Sequence, residues 1–600
     1  MGPDRGAGRA AALASGRVTA SHESAERRRL IDTATVGGPG IEFGPPVRED
    51  DGVQTFRLTI LGTTDLHGHA LDWDYFDAAP TTEPGRSNIG LARAATLINA
   101  VRAERGASTC VTLDAGDTIQ GTPLVHDHAG GVHPMAAAMN AVGFDAATLG
   151  NHEFNFGLPA LRTFQSQLAH PLLGANAETW DDATPAFDPW VVLEVPVPGH
   201  EPVRVGVLGL VTPGVAEWDR PRVEGRVRFV GLVEQAARYV PELRAQADVV
   251  VVVAHSGTAT GSTYPDDAAP LENASTLVAE QVPGIDVMLV GHAHEEIVGR
   301  VVVNEASGRG VLVTEPLFWG MRVAVIDVVL GAEGGRWVVR DASATMLAAT
   351  GVEEDEGVLA AVRPAHDAVV AGLDRVIART TGELTTSGGR TGATAVTGLI
   401  TAAQASALAS ALMGTPFESL PVLSATPPVA REVTLPAGEV TARQVASLCP
   451  DGQTLIGVAV TGAQLAAYLE AAARFADGGG DPRLFDVVAP LTYGIDLRRP
   501  EGDRVRDLSY GGVPVTEDQQ FVLAISNHRQ AGEGGYPVAE LPVVAHVQVD
   551  VRHLVIEWVQ GVAGGGLSRS PGPGVLDVAA LRRPGRRLVP PEVAPPRFPS

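Results

Sequence analysis

The sequence predicts an α/β protein built from two domains, and three observations support this. The chain has 600 residues, enough for several domains, and 45% of them are hydrophobic, enough for large buried cores. From about residue 55 to 345, short β-rich runs alternate with helical stretches, as in α/β domains with buried strands. A second unit with the same alternation covers residues 380–561.

The elements of the first domain follow from hydrophobic periodicity. Apolar side chains recur on one face of Ile89–Arg105, which predicts an amphipathic helix. Short β-rich runs predict the strands Phe56–Leu61, Thr109–Leu113, Phe144–Leu149, Arg204–Leu210, Val249–Ala254 and Ile285–Val290.

The remaining segments are assigned from the same signals. Helical character over Gly351–Arg379 predicts a linker helix between the domains, at residues 346–379. Residues 1–54 are expected to be a disordered leader, and the Pro-, Gly- and Arg-rich residues 562–600 a loose tail. In the second domain we expect helices at Ala395–Met413 and Gly462–Ala476, and strands at Thr454–Val460 and Phe521–Ile525.

The composition excludes several kinds of function. The chain contains no lysine, so it can hold neither a complete Walker-type phosphate loop nor a lysine Schiff base. Its net charge of −25 argues against binding a nucleic-acid polymer. No apolar run approaches the ~18 residues of a membrane span, and the N-terminal residues show no secretory apolar segment. The sequence shows no signal peptide, and the cellular location stays open.

Five predicted strands are each followed by a cluster of polar residues. Ligands of open α/β sheets bind beyond the carboxyl ends of the strands, so these five clusters should converge in space. One such Asp or His is usually a cap or a satisfied polar group, but five in order are hard to explain in that way. The clusters are Thr64–His69, Asp114–Asp117, Gly150–Asn155, Ala254–Gly257 and Gly291–His294.

The side chains of these clusters have the chemistry of a metal site. Carboxylate, imidazole and amide oxygen together suit divalent Mn, Zn, Fe or Co, whereas calcium takes oxygen ligands almost exclusively. About seven candidate ligands exceed the four of a tetrahedral zinc, and they suit two ions ~3.5–4 Å apart that share a carboxylate. The sequence therefore predicts two divalent ions, whose identity stays open.

In this order the motifs resemble those of calcineurin-like metallophosphoesterases, and specifically the 5′-nucleotidase family, over residues 56–560. The resemblance implies a four-layer α/β/β/α dinuclear metallophosphoesterase domain, followed by a C-terminal α/β domain of the 5′-nucleotidase type that binds substrate. It also implies the roles of the site residues. Asp65, His67 and His294 would hold one ion, Asn151, His255 and His292 would hold the other, Asp117 would bridge them, and His152 would face the substrate phosphate.

One branch of the family fits better than the others. In 5′-nucleotidases an Asp three residues after the catalytic His pairs with it, whereas this chain has Asn155, as in the cyclic phosphodiesterases. Asn can orient the ring of His152 but cannot stabilise an imidazolium as a carboxylate does, and a plain turn residue is the alternative. The segments that resemble 2′,3′-cyclic-nucleotide 2′-phosphodiesterase/3′-nucleotidases are Thr63–His67, Asp72–Phe76, Asp117–Leu124 and Leu420–Ala425.

The second domain is expected to bind the nucleoside, because members of the family hold the base between two aromatic rings. Gly532–Pro537 resembles the Gly-rich aromatic loop of the family, so Tyr536 is a candidate ring, with packing beneath a turn as the alternative. The matching loop, Cys449–Gln453, contains no aromatic residue. Arg431 lies where 5′-nucleotidases carry a substrate-binding Arg, and a solvated surface Arg fits that position equally well.

The predicted function is hydrolysis of nucleotide phosphoesters by a dinuclear metal site, with 2′,3′-cyclic-nucleotide 2′-phosphodiesterase/3′-nucleotidase activity as the first choice. A 5′-nucleotidase/UDP-sugar hydrolase, or a sulfur-ester hydrolase on the same scaffold, is the second. A non-catalytic nucleotide-binding protein stabilised by its metals is the third, although such a protein has no need of a complete ligand set.

Overall fold

The computed structural model describes most of the chain between residues 55 and 589. The predicted leader at 1–54, Arg431, the loop residues 450–453 and most of the predicted tail lie outside the described residues. Those residues are 55–82, 87–126, 131–264, 269–388, 394–429, 432–449, 454–476, 484–530, 532–547, 549–563, 574–581 and 586–589.

The first domain alternates strands and helices along its length. Its described strands are β1 (Thr55–Thr63), β2 (Cys110–Asp114), β3 (Ala146–Thr148), β4 (Leu172–Leu173), β5 (Ala177–Thr179), β6 (Trp190–Val195), β7 (Val203–Val211), β8 (Val227–Phe229), β9 (Val249–His255), β10 (Val287–Val290), β11 (Glu296–Val303), β12 (Gly310–Pro316), β13 (Arg322–Glu333) and β14 (Arg336–Ala348). Its described helices are α1 (Leu91–Arg105), α2 (Pro123–His126), α3 (Pro134–Val142), α4 (Gly157–Gln167), α5 (Val215–Trp218), α6 (Arg220–Val223), α7 (Leu232–Gln246) and α8 (Ser275–Gln281).

Two six-stranded sheets form the centre of this domain, in the orders β14-β13-β1-β2-β3-β4 and β11-β12-β10-β9-β7-β6. The apolar side chains between them form one core, which includes Leu58, Ile60, Val207, Val251 and Leu289. Helices α1 and α3 cover the outer face of the first sheet, and α7 covers the second. The predicted four-layer α/β/β/α architecture is therefore confirmed.

A linker helix and a second α/β domain follow. The described elements are α9 (Glu356–Leu373), β15 (Val376–Thr380), β16 (Leu384–Thr385), α10 (Ala395–Ala411), β17 (Val422–Thr426), β18 (Thr434–Leu435), β19 (Gly438–Thr441), α11 (Ala442–Ala446), β20 (Leu455–Thr461), α12 (Gly462–Ala473), β21 (Val487–Ala489), β22 (Thr492–Asp496), β23 (Val505–Tyr510), β24 (Val513–Pro514), β25 (Gln520–Ser526), α13 (Asn527–Gln530), β26 (Val543–Val547), α14 (Val551–Ala563), β27 (Gly574–Leu576), α15 (Val578–Leu581) and β28 (Arg586–Val589). The main sheet has the order β21-β17-β25-β20-β26.

Two sequence predictions differ from the structure around this domain. The segment Gly351–Arg379 is helical only in α9, because the β-branched start of β15 pairs with β19 instead of continuing the helix. The predicted tail is not loose throughout, since β27 pairs with β15 and β28 pairs with β22. Leu576 and Leu581 anchor the first of these pairings in the core. Among the described residues, no helix is both long and apolar enough to cross a bilayer.

One buried histidine should make the fold sensitive to acid. Among the described residues, neither ring nitrogen of His170 has a hydrogen-bond partner, and burial lowers its pKa from 6.5 to about 4. The unfolded chain therefore binds a proton below pH 6.5 that the folded chain refuses until about pH 4, so stability is lost as the pH falls through this window.

We expect His170→Leu to remove this loss. Urea unfolding at pH 7.5 and pH 5 should show that the variant gains about 1–2 kcal/mol relative to the parent on going to the lower pH. The substitution also changes packing, but that effect on the free energy of unfolding is the same at both pH values and cancels in the difference. His200→Leu, at an exposed position, is the matched control. An identical pH dependence of parent and His170→Leu would contradict the expectation.

Candidate metal centre

The five predicted clusters meet at one edge of the first domain. Parallel pairing of β1 with β2, of β2 with β3 and of β9 with β10 brings the carboxyl ends of these strands together. Seven side chains from the clusters form three overlapping groups, in each of which the donor atoms lie within 4.8 Å of one another. The groups are Asp65, His67 and His294; His67, Asp117 and His152; and Asp117, His255 and His292.

The distances within these groups suit shared ions. His67 Nε2 lies 3.1 Å from His294 Nε2 and 3.7 Å from Asp65 Oδ1. Asp117 Oδ2 lies 3.0 Å from His255 Nε2 and 3.9 Å from His67 Nε2. Two atoms that each lie about 2.1 Å from one ion are about 3–3.5 Å apart, so these separations fit coordination to common ions with little movement. Asp117 is the carboxylate that faces both sides of the cluster.

Unpartnered atoms and charge both indicate that the cluster binds cations. Among the described residues, Asn151 Oδ1 is buried without a hydrogen-bond partner, while Asp65 Oδ1 and His255 Nε2 are buried and have only ion-pair contacts within the cluster, at 3.2 Å to His294 Nε2 and 3.0 Å to Asp117 Oδ2. Burial would lower the pKa of His255, but Asp117 and Asp65 outweigh it and raise the pKa to about 10. The carboxylates thus draw positive charge into the cluster, and a divalent ion would meet the same demand without a proton. The donor set therefore fits divalent metal ions.

The backbone at the cluster adopts conformations that side chains rarely take. Five candidate ligands have positive φ angles: Asp65 (50°), His67 (46°), Asp117 (57°), His292 (80°) and His294 (57°). Such conformations cost free energy and concentrate at functional sites.

Two glycines allow the loops to approach each other closely. A Cβ on Gly150 would lie 2.1 Å from Asp117 Oδ1, and one on Gly291 would lie 1.9 Å from Thr64 Oγ1. A larger residue at either position would collide with the loops that carry the candidate ligands, so both positions require glycine.

Glu153 joins the loops that carry the candidate ligands. Its carboxylate accepts hydrogen bonds from the backbone N–H groups of Asp117, Thr118, Ile119 and Gly150, at 2.6–3.3 Å. It therefore fixes the β2 and β3 loops relative to each other. His255 is held in a similar way, because its Nδ1 lies 2.7 Å from the carbonyl oxygen of Ala115 and its Nε2 faces the cluster.

Glu272 fixes the orientation of His292. Its Oε1 lies 3.0 Å from His292 Nε2, while its Oε2 accepts from the N–H and hydroxyl of Thr263 at 2.6 and 2.8 Å. This arrangement protonates Nε2 and leaves Nδ1 as the nitrogen available to a metal. A carboxylate in this position usually strengthens metal binding.

We expect Glu272→Gln to weaken metal binding by about 10–100-fold. The Gln carbonyl must face the two donors of Thr263, so its NH₂ group would face His292 Nε2 and favour the opposite tautomer. Titration with Mn²⁺ or Zn²⁺ against a competing chelator measures the change. Glu280→Gln, on α8, is the matched control. Unchanged affinity in Glu272→Gln would show that Glu272 does not orient His292.

His152 lies beside the cluster and is partly exposed. Its side chain is 32% exposed, and its Nε2 lies 3.9 Å from Asp117 Oδ2. Its Nδ1 lies 2.6 Å from Asn155 Oδ1, and Asn155 Nδ2 donates to Asp219 Oδ2 at 2.9 Å. Burial raises the pKa of Asp219 to about 6. The carboxylate of Asp219 thus lies behind the amide of Asn155, on the side that faces away from His152.

Several of these residues were not predicted as functional. Asp219 and Glu272 lie outside the five clusters, and tertiary packing alone brings them to the site. Trp218 stacks on His292 with ring centroids 5.7 Å apart, and Phe318 stacks on His294 at 4.7 Å. The Glu153 carboxylate could have been noticed, because Glu153 directly follows His152 in the third cluster.

Tyr536, the candidate aromatic ring of the second domain, is buried in this structure. Tyr536 is only 3% exposed, and its hydroxyl donates to the carbonyl oxygen of Leu484 at 2.7 Å. Its ring packs 4.5 Å from that of Tyr468, with the guanidinium of Arg529 over it. Tyr536 therefore packs beneath the turn in this structure, and its role in binding a base stays a prediction. Arg431 lies outside the described residues.

Fold and site together define the class of this protein. A four-layer α/β/β/α domain with an imidazole and carboxylate cluster at its strand ends is a metal-dependent phosphoester hydrolase. The family model of the calcineurin-like phosphoesterases matches residues 58–296, and that of the 5′-nucleotidase C-terminal domain matches residues 376–540. The chain therefore belongs to the 5′-nucleotidase family of calcineurin-like phosphoesterases.

Named relatives cover most of the chain. The trifunctional nucleotide phosphoesterase protein YfkN of Bacillus subtilis is 29% identical over 86% of this chain, which spans only 38% of that protein's length. The 2′,3′-cyclic-nucleotide 2′-phosphodiesterase/3′-nucleotidase of Salmonella typhimurium is 28% identical over 80% of this chain and 82% of its own. A Staphylococcus aureus structure assigned as a 5′-nucleotidase has a TM-score of 0.61 at 23% identity, over 89% of this chain and 100% of that one, which supports the fold alone.

Proposed function

We propose that this protein hydrolyses nucleotide phosphoesters and prefers 2′,3′-cyclic and 3′ esters. The observation that carries the proposal is the set of candidate ligands around Asp117, with the partly exposed His152 at its side. The relatives from Salmonella and from Haemophilus influenzae, at 28% and 27% identity, bear names that support this substrate class.

The candidate ligands form two sets that share one carboxylate. Asp65, His67 and His294 would hold one divalent ion, Asn151, His255 and His292 would hold another, and Asp117 would contact both. Bound ions of this kind supply a nucleophile near neutral pH and offset the charge of phosphoryl oxygens. Imidazole and carboxylate donors suit Mn, Zn, Co or Fe, and the choice among them is open.

His152 would act on the substrate rather than on metal. Asn155 holds Nδ1 of the imidazole, so Nε2 faces the open side of the cluster, where a phosphate would lie. When the imidazole carries a proton on both nitrogens, Nε2 can donate a hydrogen bond or that proton to the oxygen that leaves. The backbone N–H of His152 donates to Asp117 Oδ1 at 2.8 Å, which ties its position to the shared carboxylate.

The second domain would contact the rest of the substrate. Burial and the charges of Arg220 and Arg222 lower the pKa of His546 in β26. The charges of α6, which follows Asp219, thus act on the edge strand of the five-stranded sheet, which supports a substrate position between the cluster and the second domain. A nucleoside whose phosphate lies at the cluster would therefore extend toward the second domain.

A comparison of three nucleotides tests the proposal. We expect kcat/KM for 2′,3′-cyclic AMP and for 3′-AMP to exceed that for 5′-AMP by about tenfold or more, which is ~1.4 kcal/mol of transition-state stabilisation. Chelator-treated protein is the control, and Mn²⁺ or Zn²⁺ should restore activity. A preference for 5′-AMP or UDP-glucose would favour a 5′-nucleotidase/UDP-sugar hydrolase. Two bound ions with no activity on any nucleotide would contradict the proposed substrate class.

A further inference from the structure

A buried carboxylate completes a line of three side chains that leads to the site. Asp219 lies between α5 and α6, far from Asn155 in sequence, and only 1% of it is exposed. It accepts from Asn155 Nδ2 at 2.9 Å, and Asn155 Oδ1 lies 2.6 Å from His152 Nδ1. The amide therefore connects a carboxylate to the imidazole that borders the metal cluster.

The polarity of this line follows from the chemistry of its ends. An ionised carboxylate can only accept, so the NH₂ group of Asn155 must face Asp219. The amide oxygen then faces His152 and can also only accept, so the proton of the neutral imidazole must lie on Nδ1. Nε2 is left free to accept or carry a proton on the side of the cluster. Asp219 thus selects the tautomer of His152 without touching it.

The surroundings of Asp219 do not explain its burial. Among the described residues its Oδ1 has no hydrogen-bond partner, and the nearest cation atom recorded, Arg222 Nε, is 3.8 Å away. A buried carboxylate with one unpaired oxygen costs folding free energy. A neutral side chain would avoid this cost, which favours a role for the charge in orienting its neighbours.

We infer that Asp219 is a positioning residue that acts through Asn155 to hold His152 with Nδ1 protonated and Nε2 directed at the leaving oxygen of the substrate. The inference rests on the proposed phosphoester hydrolysis. It also gives Asn155 a role. Position 155 has an amide in place of a carboxylate, and Asp219 supplies the carboxylate on the far side of that amide from the imidazole.

Exchanging the side chains of Asn155 and Asp219 tests the inference. Asp219→Ala removes the carboxylate, and Asn155→Asp places two carboxylates where a 2.9 Å hydrogen bond now lies. Each single variant should lower kcat for 3′-AMP by about 10–100-fold, with little change in KM. The double variant Asn155→Asp, Asp219→Asn restores one carboxylate and one amide in reverse order, and should recover to within about tenfold of the parent. Glu217→Gln, on α5, is the matched control.

A second substrate with a better leaving group distinguishes a loss of His152 positioning from a general loss of active-site structure. p-Nitrophenyl phosphate has a good leaving group that needs little protonation, so Asp219→Ala should lower its kcat by less than about threefold. Equal losses on both substrates, or a double variant no better than the poorer single one, would overturn the inference. Thermal melts and metal content confirm that each variant is folded and loaded.

A spectroscopic readout makes the test independent of activity. Two-bond ¹⁵N–¹H correlation spectra of histidine-labelled, metal-free protein report which nitrogen of each imidazole is protonated, and His152→Ala assigns the signal. We expect Nδ1–H for His152 in the parent and in the exchanged double variant, and a mixture in Asp219→Ala. A parent without phosphoesterase activity would refute the proposed function, whereas an unchanged His152 tautomer in Asp219→Ala would refute the inference.

Discussion

Asp117→Ala is expected to release both divalent ions and to lower kcat/KM by at least about 10³-fold. The Asp117 carboxylate is the one acidic group that belongs to two donor groups of the described cluster. Its Oδ2 lies 3.0 Å from His255 Nε2, and its Oδ1 accepts from the backbone N–H of His152 at 2.8 Å. Loss of an outer partner of a metal ligand already costs 10–100-fold, so loss of a shared ligand should cost more.

Two measurements check this expectation. Metal content after gel filtration should fall from about two ions per chain toward zero, and activity should fall with it. Asp117→Asn keeps the acceptor for the His152 N–H but removes the charge, so it should retain the fold and bind the ions weakly. Two tightly held ions and most of the activity in Asp117→Ala would show that Asp117 is not shared.

The strands that carry the site could be predicted because each is a short buried run, and several of them are rich in β-branched residues. Val249–Ala254 became β9, and the polar cluster after it lies at the centre of the site. The order of strands in the sheet could not be predicted in the same way. Ile60 of β1 pairs with Ile326 of β13, and no local pattern shows that a strand so distant in sequence lies next to β1.

The chemistry of the site was predictable by residue type, but its fine geometry was not. Periodicity contains no information on the positive φ angles of Asp65 and Asp117, which depend on the contacts between loops. Asp219 and Glu272 lie in segments without a recognisable motif, and they reach the site only through tertiary packing. The same packing encloses Tyr536, whose Gly-rich loop suggested an open aromatic ring from sequence alone.

His152→Ala is expected to lower kcat by about 10²–10⁴-fold while both ions stay bound. Geometry alone also allows His152 to be a ligand, since it forms a donor group with His67 and Asp117. Its Nδ1, however, is engaged by Asn155, and its Nε2 lies 3.9 Å from Asp117 Oδ2 on a side chain that is 32% exposed. A side chain in this position is better placed to meet a phosphate than to complete an ion's coordination.

Metal content and kinetics together decide between these two roles. Parent, His152→Ala and His67→Ala are compared for bound ions and for kcat and KM with 3′-AMP. His67→Ala should lose metal, since its Nε2 lies close to both His294 and Asp65. His152→Ala should keep two ions, with most of its loss in kcat, because the group acts on charge that develops in the transition state. Loss of an ion from His152→Ala would make His152 a ligand, and the oxygen that leaves would then need another donor.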